Sequence, residues 1–230
     1  MVTLYHHPFC PHSRFIRLAL AESGIEPTLV EERPWERRRE FLLINAEGAT
    51  PVLSRPSGPS VPGANVIAEY LDETHGAALG DRRLMPEDMA GRVETRRLMN
   101  WFNHKFFAEV SNWLVGEKIY KRFKSPAQGG GGPDMEAVRV GRANLRYHLR
   151  YIGHLIGSRN WLAGERMSFA DLAAAAHLSC VDYLGDVPWA EDETAKTWYA
   201  KMKSRPSFRA LLAEKLPGVV PSPVYADLDF

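Results

Sequence analysis

The chain has only two cysteines in 230 residues, Cys10 and Cys180, too few and too far apart for a disulfide framework or a paired-cysteine zinc site. It has no surplus of either charge: 29 Lys and Arg against 28 Asp and Glu leave +1. A near-neutral total argues against a dedicated nucleic-acid binder. No apolar run approaches the roughly 20 residues that a membrane helix needs, so direct membrane insertion is not expected. The start, Met1–Tyr5, runs quickly into polar residues and does not read as a secretory leader. What is present is ordinary: 45% hydrophobic and 25% charged residues, with length for one large domain or two small ones. A soluble protein of the reducing cytoplasm is the expectation.

The first 80 residues alternate short apolar runs with helical patterns. Val2–Tyr5 reads as a strand and Ser13–Ser23 as a helix that Gly24 stops. Thr28–Glu31 reads as a second strand and Glu36–Ile44 as a short, highly charged helix. Pro51–Leu53 and Ser60–Val61 flank a Pro- and Gly-rich turn and suit a hairpin; Asn65–Thr74 closes the unit as a helix. This order, βαβα then ββα, makes a small mixed sheet with helices on its faces. His75–Asp88 is aperiodic and reads as a linker. Beyond it, Asp88–Phe123, Asp134–Ile156, Ser168–Leu184, Asp192–Ser204 and Ser207–Lys215 carry helical spacing. Ser125–Asp134, with Gly129–Gly132 inside it, reads as a mobile loop, and Pro217–Phe230 as an extended tail.

Cys10 falls where the first strand gives way to the first helix, in Phe9-Cys10-Pro11-His12-Ser13. A helix N-terminus favours a thiolate, so Cys10 is either a reactive thiol or a buried, inert one. His6, His7 and His12 surround it, but no carboxylate or second cysteine stands at ligand spacing, so no metal is expected.

Cys10-Pro11-His12-Ser13 after a strand resembles the redox-motif position of glutaredoxins and cysteine-type glutathione transferases. Ala49-Thr50-Pro51-Val52-Leu53 resembles the cis-proline turn that closes a glutathione site in that fold. Ser168-Phe169-Ala170-Asp171 resembles the capping motif of the helical domain, and Arg205-Pro206-Ser207-Phe208 its last helix junction. Four motifs in order, from Val2 to about Leu216, resemble the glutathione transferase superfamily. The resemblance implies an α/β, thioredoxin-like N-terminal domain (1–76), a linker (77–87), an all-α C-terminal domain (88–216) and a tail (217–230). It implies a homodimer too. One departure stands out: where the family has an acidic residue and a serine to hold the γ-glutamyl end of glutathione, this chain has Gly63 and Ala64. The cofactor site of Cys10, Ser13, Thr50, Pro51, Gly63 and Ala64 is therefore expected to be vestigial, with glutathione bound weakly or not at all and no residue assigned to catalysis. Asn65 is then available as a purely structural cap of the helix.

The surface offers other candidates. Net charge is −3 over residues 1–80, +6 over 81–150 and −2 over 151–230. Lys118, Lys121, Arg122 and Lys124 cluster before the glycine loop, and Arg139, Arg142, Arg146 and Arg150 form a helical stripe. Each reads as a solvated face or, taken together, as a dock for an acidic protein surface. Trp35, within a run of charges, is either an exposed interface residue or folds back on Phe41 or Leu42. The tail, with Tyr225, Asp227 and Phe230, is expected to dock on its own subunit or on a partner.

Taken together, these features resemble the transferase-like bacterial division proteins that bind filaments of the tubulin homologue FtsZ. The resemblance implies a non-catalytic homodimer at the division site that curves and bundles FtsZ filaments. Trp35, Lys118, Lys121, Arg122, Lys124, Asp227 and Phe230 are its candidate partner-binding residues. The alternatives are a glutathione-dependent transferase or thiol reductase using Cys10 with Ser13 in support, or a transferase-like adaptor for RNA polymerase.

Overall fold

The computed structural model describes residues 2–228. Four short strands, β1 (Thr3–His6), β2 (Thr28–Glu31), β3 (Val52–Ser54) and β4 (Val61–Pro62), form one sheet in the order β2-β1-β3-β4. β1 runs parallel to β2, with Leu4 opposite Leu29, and antiparallel to β3, with Leu4 opposite Leu53. β3 and β4 pair antiparallel. Helices α1 (Pro11–Glu22), α2 (Arg39–Ile44) and α3 (Ala64–His75) complete the unit. The mixed sheet expected from the alternation of apolar runs is thus present.

The rest is helical. α4 (Met89–Asn100) continues without interruption through a π-helical stretch at Trp101–Ser111, α5 (Asn112–Val115), a second π-helical stretch at Gly116–Tyr120, and α6 (Lys121–Phe123). It is followed by α7 (Met135–Ile156), α8 (Phe169–Tyr183), α9 (Glu193–Lys203) and α10 (Arg209–Leu212). All 15 residues of α8 are buried, as suits a helix that is apolar nearly all round. Its alanine run, Ala173–Ala176, is fully buried, and α1 packs against this helix with Phe15, Leu18 and Ala19 turned inward. Small side chains let the two backbones approach closely, which joins the sheet unit to the helical one. At the start of α8, Ser168 Oγ accepts from Ala170 N at 3.2 Å, and Asp171 Oδ2 accepts from Ser168 N at 2.9 Å. Asp171 Oδ1 also accepts from Leu162 N and Trp198 Nε1, so the capping box read from the sequence anchors a neighbouring loop and α9 as well.

Three expectations need correction. The helix expected over 36–44 is broken: Pro34–Glu36 forms a 3₁₀ turn, Arg37 has φ +46°, and α2 begins only at Arg39. The glycine-rich segment is tied down at its start, where Ser125 and Gln128 cap a 3₁₀ turn and Gln128 Nε2 donates to the Trp35 carbonyl at 3.1 Å. Asn65 does not cap α3, because the helix begins one residue earlier and Gly63 is its N-cap.

The tail docks on its own chain. Tyr225 is buried, its hydroxyl donating to Leu211 O at 2.9 Å and accepting from Arg14 Nη1 at 3.2 Å. Lys203 Nζ donates to the carbonyls of Val224 and Asp227. Phe230 lies outside the described residues. No helix among the described residues is long and apolar enough to cross a membrane.

Candidate functional site

A cleft of about 640 Å³ opens where the β1–α1 junction, the cis Thr50–Pro51 turn and the start of α3 face the long helical run. Cys10 forms the N-cap of α1 and lines this cleft at 8% exposure. Its Sγ accepts from Ser13 N at 3.4 Å and lies 3.6 Å from the Thr50 carbonyl. Burial pushes the thiol pKa up, but the hydrogen bond and positive charge of His12, with the Ser13 hydrogen bonds, outweigh it and bring Cys10 down to about 7. For His12 the same contact works in reverse: burial opposes its charge, yet Cys10 and the Asn103 carbonyl raise its pKa.

His12 Nε2 donates to Asn103 O at 2.8 Å. The Asn103 side chain extends the network, its Nδ2 donating to Asn65 Oδ1 at 2.6 Å and its Oδ1 accepting from His177 Nε2 at 3.2 Å. Asn103 lies in the first π-helical stretch, a geometry often found at functional sites. It lines the cleft and joins the two halves of the molecule there. From the sequence alone, His12 reads only as a discounted metal ligand. Its spacing, two residues beyond a helix-capping cysteine, was the available signal for a thiol–imidazole pair. Nothing local pointed to Asn103, which lies 91 residues away.

Residues 4–79 match the sequence model of the glutathione S-transferase N-terminal domain, and residues 132–206 that of its C-terminal domain. The chain belongs to the glutathione S-transferase family. It is 46% identical to the FtsZ-localized protein A of Caulobacter vibrioides, over 99% of this chain and 98% of that protein. Among solved structures, a glutathione S-transferase from Sinorhizobium meliloti 1021 matches at 53% identity and a TM-score of 0.98, covering 100% of both chains. FzlA from C. crescentus matches at 45% identity and a TM-score of 0.91, covering 100% of this chain and 99% of that one.

The residues at the start of α3 do not fit the γ-glutamyl end of glutathione in this transferase-family chain. Gly63 has φ +85° and ψ 135°, a backbone that strains any L side chain, and Ala64 offers only a methyl group. Neither can pair with an ammonium or add a hydroxyl. Among the cleft's lining residues the one carboxylate is Glu47, which is exposed on the loop before the cis peptide. Each missing hydrogen bond to a ligand of this kind costs about 1 kcal/mol or more. Ala64→Ser is therefore expected to strengthen glutathione binding by up to about tenfold. Gly63→Glu is expected instead to destabilise the fold by about 1–3 kcal/mol. Calorimetric titration with glutathione and denaturant melts check the pair.

The other candidates fall in different places. Trp35 does not fold back on Phe41 or Leu42: its ring stands 5.2 Å from His7 and 5.4 Å from Tyr120, as a wall of the cleft. Lys118 pairs with the buried Asp186 at 2.6 Å, and Arg142 pairs with the same carboxylate at 2.7 Å. Lys121 pairs with Glu117, and Arg122 donates to the carbonyls of Lys118 and Gly218. Arg146 pairs with Glu191, while Arg139 and Arg150 are exposed. The +6 of the middle third is thus partly neutralised within the chain. Lys124 lines the mouth of the cleft. Ser13 is fully buried, its Oγ accepting from His7 N at 3.4 Å. Asp227 has an exposed side chain, and its backbone carbonyl is held by Lys203. Cys180 is buried, and burial pushes its thiol up to about 11. Among the described residues no group of three or more His, Cys, Asp or Glu is arranged to hold a metal ion.

Proposed function

We propose that this protein binds FtsZ filaments at the division site as a homodimer, bundling and curving them without transferase chemistry. One observation carries the reading: 46% identity, end to end, to a protein named for its localisation with FtsZ. The poor fit of Gly63 and Ala64 to glutathione supports it, since the site is then under no demand to keep that ligand. The exposed Val66 on α3 and Val93 on α4, each one turn from the Glu69–Arg96 bridge, support a dimer face. Two copies present two filament sites, so modest single-site affinity suffices for bundling through effective concentration.

Because Lys118 and Lys121 are neutralised by neighbouring carboxylates, the charged contacts of the proposal are the exposed Arg122 and Asp227 and the half-buried Lys124, with Trp35 and Phe230 as the aromatic candidates. The test is co-sedimentation with GTP-assembled FtsZ at several salt concentrations. The unaltered protein is expected to pellet with filaments. Arg122→Asp and Asp227→Lys are each expected to weaken pelleting about tenfold or more, because reversed charge adds repulsion to lost attraction. Light scattering checks that the dimer persists. A folded, dimeric protein that stays in the supernatant overturns the reading.

A glutathione-dependent thiol transferase is the second reading, and the lowered pKa of Cys10 is the observation that favours it. Micromolar glutathione binding to the unaltered protein would revive it.

A further inference from the structure

The last residue of α9 is a lysine whose side chain has no access to solvent. We propose that Lys203 is the positioning residue of the tail: its buried ammonium group fixes the turn at Val224–Asp227 and so aims the exposed Asp227 carboxylate at a basic partner surface. The partner half of this inference rests on the filament-binding reading; the clamp half stands on geometry alone.

An ammonium group taken out of water needs partners for its three hydrogens. Lys203 Nζ donates to Val224 O at 2.9 Å and to Asp227 O, both in the tail. Its countercharge is Asp182, whose side chain is 1% exposed and whose Oδ2 stands 3.8 Å away. The C-terminal end of a helix also favours a cation. Lys203 is therefore held from below by the helical unit and spends its hydrogen bonds on the tail.

The two carbonyls converge because the chain turns twice in succession. Tyr225 N donates to Ser222 O at 2.9 Å, and Asp227 N to Val224 O at 3.2 Å. The turns carry Tyr225 inward, where Arg14 and Leu211 O hold its hydroxyl, and leave the Asp227 side chain exposed. Tyr225 anchors the first turn, and Lys203 bridges both ends of the second. A turn bond alone contributes little against the entropy of ordering four residues. Without the ammonium group the two carbonyls turn to water, and the segment beyond Tyr225 moves freely. The Asp227 carboxylate must then be ordered at the moment of docking, which weakens binding even though Lys203 itself never meets the partner.

The test uses the full-length protein and two variants. Lys203→Met keeps an unbranched stem of similar volume. Lys203→Met, Asp182→Asn also leaves no unpaired buried carboxylate, and it still offers Trp189 Nε1 an acceptor. Urea melts check that each is folded, and light scattering that each is dimeric. An endoproteinase that cuts before aspartate is followed by intact mass, and both variants are expected to lose residues 227–230 about tenfold faster than the unaltered protein. Co-sedimentation with GTP-assembled FtsZ is expected to weaken about tenfold in both. Asp227→Lys, added to Lys203→Met, is expected to cost less than about threefold more, because the two residues act as one unit. A lysine that only stabilised the fold would leave the full effect of Asp227→Lys in place. Clipping within about twofold of the unaltered rate in the folded variants overturns the clamp. Faster clipping with unchanged pelleting, or with additive losses, overturns the positioning role. An unaltered protein that stays in the supernatant overturns the filament reading instead, and the clipping rates still decide the clamp.

Discussion

Arg14→Ala is expected to cost about 3–5 kcal/mol of stability, because the side chain is a buried charge whose partners cannot find replacements. Arg14 is fully buried on α1. Its Nε donates to Pro8 O at 2.8 Å, Nη1 to Ser179 Oγ at 2.9 Å and to Tyr225 OH at 3.2 Å, and Nη2 to Glu214 Oε2 at 3.2 Å. Its guanidinium also lies 4.2 Å from the centre of the Phe9 ring. One side chain therefore ties the β1–α1 junction, the central helix α8, the end of the helical unit and the tail together. Arg17 still pairs with Glu214 at 2.8 Å after the substitution, so the cost comes chiefly from the deserted oxygens of Pro8, Ser179 and Tyr225 and from the cavity. Arg14→Met, which refills the volume, is expected to lose less. Urea melts at pH 7 measure both: a lowered midpoint at an unchanged slope is expected. Tyr225 loses one of its two hydroxyl partners in either variant, so the tail should also become easier to clip by a protease. If Arg14→Ala costs under about 1 kcal/mol, the network is an ordinary surface-strength one and the tail is held by other contacts.

What the sequence disclosed and what it hid divide along a physical line. Features written in neighbouring residues were legible. The Ser168–Asp171 box, the Gly24 stop, the β2 strand and the hairpin around Arg55–Pro59 each follow from local backbone preference, and all are present. Features chosen by distant partners were not. Nothing at Arg37 itself marks a helix break, since it stands between Glu36 and Arg38, with no glycine or proline beside it; the 3₁₀ turn there carries Trp35 to Tyr120, far along the chain. The charge of Lys118 and Arg142 looked available for a partner because Asp186, which binds both, is on another segment. The π-helical geometry around Asn103 has no periodic signature distinct from the α-helix that was expected. The candidate site was legible at its corners, Cys10, the Thr50–Pro51 turn and Gly63–Ala64. The group that activates its sulfur was legible only as a histidine without an assigned task.

Acid is expected to unfold this protein steeply, and two histidines beneath the cleft account for much of the slope. His6 and His7 are 5% and 3% exposed, and burial, aided by Arg17 beside His6 and Arg33 and Arg14 near His7, lowers their pKa values to about 3 and 4. His7 Nδ1 accepts from Phe9 N at 3.2 Å, a bond that protonation of that nitrogen destroys. Both are neutral in the fold at pH 5, whereas in the unfolded chain, with pKa near 6.5, both are charged. The unfolded state therefore binds more protons, and stability falls as pH drops below about 6.5. By pH 4 each histidine has withdrawn about 3 kcal/mol. Asp182 works against them. Its carboxyl is raised to about 6 by burial, so between about pH 4 and 6 the folded state holds a proton that the unfolded state has lost. His177, fully buried behind the cleft and pushed well below its ordinary value by burial, adds to the histidine side. Chemical denaturation from pH 7.5 to 4.5 reads the balance as protons taken up on unfolding. The double variant His6→Gln, His7→Gln is expected to take up nearly two fewer protons at pH 5 than the unaltered protein. An unchanged slope would place the acid sensitivity on other groups and leave His6 and His7 charged, or solvated, within the fold.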